Sequence, residues 1–194
     1  MSPVELTEII RNISLAVSAP AGAGIAWRGL ASWRDEKKWM RDTELAQNLL
    51  VALFERRDAV GGVRNTFISM SYDSLNDDVK QYQETCELYG KRLVPLTDAR
   101  KKFYQYGNEA RALWGDDLNA LLKPIISLEA DLLVVIDEHL QRLNPKADEE
   151  DDRDKDEKER DRSILYSRSK SDFTDQYATA VEKVEVFLRE KMKL

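Results

Sequence analysis

The sequence predicts an all-α protein: a four-helix bundle with long kinked helices, plus an N-terminal small-residue, membrane-like segment. Three observations predict it. Gly and Pro are scarce, eight and five in 194 residues, and long stretches lack both, which favours helix. From Leu45 to Leu188 the apolar residues recur at intervals of three and four, the period of one helix face. No run alternates apolar and polar residues with the period of two that a half-buried strand needs.

The chain opens with a short helix of mixed faces over Val4–Ile10. The stretch Ile13–Trp27 that follows holds fifteen residues and no charge. A membrane span needs about twenty predominantly apolar residues, and Pro20, Gly22 and Gly24 interrupt this one. Its large aliphatic residues, Ile13, Leu15, Val17 and Ile25, each favour a bilayer by about 0.3–0.6 kcal/mol. A lone copy therefore inserts only marginally. Trp27, Trp33 and Trp39 cluster at one end, as an interfacial aromatic belt does, and Arg28, Arg34, Lys37, Lys38 and Arg41 follow, as the positive-inside rule asks. Ala16, Ala19, Ala23 and Ala26 allow close helix–helix approach. Residues 1–33 are thus read as a membrane-associated or oligomerisation segment. The alternative is an ordinary small-residue helix covering the bundle. A secretory signal is not expected, because the first ten residues carry Glu5 and Glu8 and no Lys or Arg.

Residues 34–194 form the expected bundle. A helix from Ala31 sets Leu45, Leu49, Leu50 and Leu53 on one stripe, widened by Phe54 and Val60, and Gly61-Gly62 supplies its stop. In the second helix Leu75, Val79, Tyr82, Cys86, Tyr89, Leu93 and Leu96 alternate steps of four and three, a heptad seam. Pro95 kinks it, and Gly115 ends it after Trp114. The third helix starts at Asp116 or Asp117, aligns Leu118, Leu122, Ile125, Leu132, Ile136 and Leu143, and closes at Leu143–Pro145. Residues 146–163 read as a charged flexible loop; Asp148–Arg162 alone holds ten acids and five bases. The last helix opens at Ser169, with Asp172 three residues on. It carries Phe173, Tyr177, Ala180, Val181, Val184, Phe187 and Leu188 at helical spacing.

No catalytic signature stands out, and the chain is read as non-enzymatic, with no cofactor, metal or small-molecule substrate. Its lone cysteine, Cys86, excludes an internal disulfide and a multi-cysteine zinc site, and reads as an inert thiol on a helical stripe. One histidine, His139, cannot supply the two Glu-x-x-His motifs of a di-iron bundle. The net charge of −6, concentrated in the acidic stretch, leaves no basic domain for nucleic acid. Arg64, Asn65 and His139 remain as a candidate polar site.

Two resemblances bear on function. "ELAQNLLVALFERRDAVGGVRN" and "ARALWGDDLNALL", set behind the membrane-like segment and Trp27-Arg28, resemble small, mostly uncharacterised bacterial proteins. In those, an N-terminal membrane helix precedes a cytosolic helical bundle. "RNTFIS" at Arg64–Ser69 resembles the first half of the motif of HEPN ribonucleases, but Ser69, Met70 and Ser71 stand where the histidine belongs. A remote analogy is the degenerate HEPN-like accessory pore protein of RNA-targeting CRISPR systems. The resemblances imply a self-associating protein at the bacterial inner membrane, its bundle cytoplasmic, serving as an antiphage effector or pore. It would contact lipid and further copies of itself. The competing expectations are a cytoplasmic adaptor that binds a protein partner through the Leu75–Leu96 face and, more remotely, a degenerate HEPN-like RNA-binding protein or nuclease.

Overall fold

A computed structural model describes residues 3–66, 77–147, 152–167 and 171–193, with side chains from Trp27 onward. The chain is all-helical, and no strand occurs among the described residues. Among the described residues five helices follow one another: α1 (Pro3–Val63), α2 (Asp78–Trp114), α3 (Asp117–Leu143), α4 (Lys155–Leu165) and α5 (Asp172–Lys191). They fall into two compact units, Met1–Glu44 and Leu45–Lys193.

The described residues of the first unit are all helical. The expected short helix Val4–Ile10 and the helix from Ala31 belong to one continuous α1. From Trp27 to Glu44 no side chain is buried.

The second unit holds the core. From α1 it takes Leu45, Leu49, Leu53 and Val60, all at most 3% exposed. Gly61-Gly62 does not stop this helix; both lie inside it, and it runs on to Val63. Glycine in a helix costs roughly 1 kcal/mol relative to Ala. Burial of Val60 and Val63 on either side opposes that cost. The one positive-φ glycine among the described residues is Gly115, at φ 78°, where α2 ends as expected.

Pro95 and Pro124 both lie inside continuous helices, α2 and α3. Each removes one backbone donor. Residues Lys91 and Ala120, one turn earlier, are exposed, as are the prolines themselves. The carbonyls left without a helical donor are therefore in reach of water.

α3 organises this unit, packing against α2, α4 and α5. It buries Leu118, Leu122, Ile125, Leu132 and Ile136 of the stripe expected from spacing, and Leu143 at its end is half-buried. Of the heptad seam on α2, Tyr89 and Leu96 are buried and Tyr82, Cys86 and Leu93 half-buried, while Phe103 and Ala110 are buried further along the helix. That part of the heptad face is occupied by the protein's own core, whereas Val79 is exposed and Leu75 lies outside the described residues.

The stretch 146–163 is not a loop throughout. Lys155–Leu165 forms α4, and residues 148–151 lie outside the described residues. A capping box starts this helix: the Asp154 carboxylate accepts from the Glu157 N–H, and the Glu157 carboxylate accepts from the Asp154 N–H. At its other end Ile164 and Leu165 are buried. Ser171, not Ser169, caps α5 and accepts from the Thr174 N–H; Ser169 lies outside the described residues.

Candidate functional site

Three places in the molecule carry chemistry: the Trp27–Arg41 stretch of α1, the buried polar groups of the second unit, and a groove between α3, α4 and α5.

On α1 every side chain from Trp27 to Lys38 is exposed. Trp27 is 74% exposed, Trp33 55% and Leu30 45%. Arg28 is exposed beside them, and the Lys37 ammonium lies 6.0 Å from the Trp33 ring centroid. Trp27, Leu30, Ala31, Arg34 and Asp35 line a shallow depression of about 210 Å³. Their i, i+3, i+4, i+7, i+8 spacing puts them on one face. Ile13, Leu15, Val17, Pro20 and Ile25 lie in the helical backbone of α1, and their side chains are outside the described residues. No helix among the described residues is long and apolar enough to cross a membrane.

Arg64 is 4% exposed, just past the end of α1. Its guanidinium donates to the carbonyl oxygens of Ile164 (2.7 Å), Ser163 (2.9 Å) and Tyr166 (3.1 Å). It also reaches the hydroxyls of Thr174 (3.1 Å) and Ser171 (3.4 Å) and lies 4.3 Å from the Phe173 ring centroid. Arg162, Ser163 and the residues after them close α4, so Arg64 meets carbonyls that a helix C-terminus leaves free. Burial lowers its pKa to about 10, which leaves it charged at neutral pH. Five interactions engage its donors in tying α1 to the α4–α5 junction. The Asn65 carbonyl accepts from Arg92 at 2.7 Å.

His139 has different neighbours. It is half-buried on α3, with its ring edge-on to Tyr89 at 6.2 Å between centroids. Burial lowers its pKa first, Arg142 and Arg153 lower it further, and Asp161 opposes them. Arg142 and Arg153 both pair with that same Asp161. Arg92, which donates to the Asn65 carbonyl, also acts electrostatically on Tyr89, the ring against which His139 packs. Cys86 is half-buried, and its proximity raises the Tyr82 pKa. Among the described residues no three His, Cys, Asp or Glu side chains are grouped to hold a metal ion.

The most buried charge among the described residues is one that the expected stripes did not include. Glu129 on α3 is 0% exposed. Arg56 of α1 grips it bidentately, Nε to Oε1 at 2.6 Å and Nη2 to Oε2 at 2.8 Å. The Tyr177 hydroxyl of α5 donates to Oε1 at 3.0 Å, and Arg100 of α2 stands 3.5 Å from Oε2. Four helices thus meet at one carboxylate. Burial raises the Tyr177 pKa first, and the adjacent Glu129 charge raises it further. The phenol stays protonated and acts as a donor. The signal was present: Ile125 and Leu132 are seven apart on the apolar stripe, and the position between them holds a glutamate.

The groove between α3, α4 and α5 encloses about 610 Å³. Leu128, Ile164 and Phe173 give it an apolar floor, and Asp131, Asp156, Glu159 and Asp172 rim it, with Arg160 the one basic residue in the described lining. No protein-family model, curated protein or solved structure matches the chain.

Proposed function

We propose that this is a non-enzymatic helical protein that self-associates at a membrane surface through the N-terminal part of α1. One observation carries the reading: Trp27, Leu30 and Trp33 are exposed among Arg28, Arg34, Lys37, Lys38 and Arg41, on a stretch that buries none of its described side chains. Exposed aromatic and cationic residues interleaved on a helix suit an anionic lipid interface, where the rings sit at headgroup level and each basic residue adds about 1 kcal/mol of attraction. Small residues upstream favour close approach of helices from several copies. The buried polar groups support the non-enzymatic part. Glu129 and Arg64 are tied up in structural bonds within the core.

Sedimentation of the full chain with vesicles, anionic or neutral, tests the proposal, together with its mass by light scattering. Wild type should bind anionic vesicles, lose binding at high salt, and form a species heavier than one chain. Trp27→Glu/Trp33→Glu should abolish vesicle binding with an unchanged helical spectrum. Equal vesicle binding by this variant and wild type would defeat the reading.

A further inference from the structure

From the outward face of α3, we infer that the second unit pairs with a second copy of this chain as a twofold-symmetric dimer, the two α3 helices running antiparallel and meeting at Ala130. This dimer uses none of the α1 residues assigned above to lipid and goes beyond that self-association.

On α3, Leu128 and Asp131 line hollows shared with α5, and the Leu122–Ile136 stripe faces the core. The side away from Leu128 and Asp131 carries Lys123, Ile126, Ala130, Val134 and Asp137 at steps of three and four, and all five are exposed. Ile126 is 43% and Val134 55% exposed, and Leu133 beside them is half-buried. The stripe is complementary to its own reverse. Ile126 and Val134 each lie four positions from Ala130, and Lys123 and Asp137 each lie seven. In an antiparallel pair centred on Ala130, Ile126 of one copy therefore stands level with Val134 of the other, and Lys123 with Asp137. One step further out, Asn119 and Gln141 bring two side-chain amides level, each both donor and acceptor. Every contact occurs twice, as an isologous interface requires, and no like charges oppose one another. A parallel pair would set Lys123 against Lys123 and Asp137 against Asp137, so the charges select the antiparallel one. Neither charge is matched within the chain. Lys123 has no ion pair among the described residues, and Asp137 accepts only from the Gln141 amide, at 2.8 Å. Fourteen helical residues separate the two, about 21 Å, so they cannot pair with each other in one copy. Alanine at the crossing lets the axes approach to about 8 Å.

Such a contact closes at two copies. Its apolar centre supplies the attraction, and the charges at its two ends fix orientation and register. Screening of those end charges makes the dimer weaker at high salt.

The test uses the full-length chain carrying Trp27→Glu/Trp33→Glu, which removes the association assigned to α1. By light scattering this chain should still dimerise. Lys123→Glu or Asp137→Lys, added singly at these exposed positions, should weaken the dimer at least about tenfold with an unchanged helical spectrum, because each sets two like-charge pairs face to face. An equimolar mixture of the two variants should recover the dimer, and so should Lys123→Glu/Asp137→Lys in one chain, since both pairs are then of opposite sign. With Cys86→Ala to remove the native thiol, Ala130→Cys should form a disulfide between copies under mild oxidation. Val134→Cys should not, because its two copies lie about 12 Å apart along the helix axis. A monomer in this background, single reversals without effect, or a mixture that stays monomeric would overturn the dimer; vesicle binding and self-association of the wild-type chain would then still uphold the proposed function. A dimer that persists while the wild-type chain ignores anionic vesicles would defeat that function and leave the dimer standing.

Discussion

Two stretches of α1 follow different rules. From Leu45 to Val63 the helix places Leu45, Leu49, Leu53, Val60 and Val63 at steps that return to one face, and all of them are buried. From Trp27 to Glu44 the same helix carries large apolar residues too, yet Trp27, Leu30, Trp33 and Met40 are exposed. Helical backbone is common to both; a continuous apolar stripe is not. In the upstream stretch, charged residues stand at the intervening positions, so no face wide enough to join a core is formed. The downstream part of the helix therefore holds the fold, the upstream part leaves its large side chains exposed, and it is to the upstream part that we propose to assign self-association.

The largest expected effects lie in the packed part. Glu129→Ala leaves Arg56 and the Tyr177 hydroxyl buried without their acceptor. Breaking a buried pair in this way costs about 3–5 kcal/mol, measurable as a lowered urea midpoint. Replacing all three polar groups, as Arg56→Met/Glu129→Leu/Tyr177→Phe, should cost less than Glu129→Ala alone, because no buried charge is then stranded. A larger loss in the triple variant would make the network a net source of stability.

Leu49→Ala should cost about 2–5 kcal/mol, since Leu49 is fully buried. Trp27→Ala in the upstream stretch should stay within about 0.5 kcal/mol. Equal losses at the two positions would break the distinction drawn within α1. At the end of that helix, Arg64→Ala should cost about 2–3 kcal/mol by stripping charge-assisted bonds from three carbonyls. Arg64→Lys should not restore the stability, because an ammonium lacks the planar fork that reaches them together.

The smallest effect concerns pH. His139 has its pKa lowered below the ordinary value of 6.5, chiefly by burial. Below that ordinary value the unfolded chain takes up a proton that the native state resists. The histidine's contribution is therefore complete above about pH 6.5 and declines as pH falls through the window down to the native pKa. Urea midpoints at pH 7.5 and pH 5.5 should fall less in His139→Gln than in wild type. An identical fall would assign the acid sensitivity to carboxylates alone.

Much of the fold can be read from periodicity. The stripes of α3 and α5, and Gly115 at the end of α2, stand where spacing and turn chemistry put them. Other features escape because their causes are not periodic. α4 is polar nearly all round, and it is held by a capping box at one end and two buried apolar residues at the other. Composition alone makes such a segment look like a loop. Gly61-Gly62 follows local propensity only until packing of Val60 and Val63 overrides it. The partners of Arg64 are backbone carbonyls about a hundred positions away, as the 100-residue separation from Ile164 shows, and carbonyls leave no mark in a sequence. Glu129 was legible in principle, as the acid at the stripe position between Ile125 and Leu132, but its partners Arg56 and Tyr177 come from other helices.

Amide hydrogen exchange of the full-length protein, followed from dilute to concentrated solution, bears most directly on the division within α1. Amides of Leu45–Val63 should be protected at every concentration. Those of Trp27–Arg41 should exchange fast when dilute and become protected as copies assemble. Protection of Trp27–Arg41 at the lowest concentration, or none at the highest, would contradict the assignment of this stretch to partners.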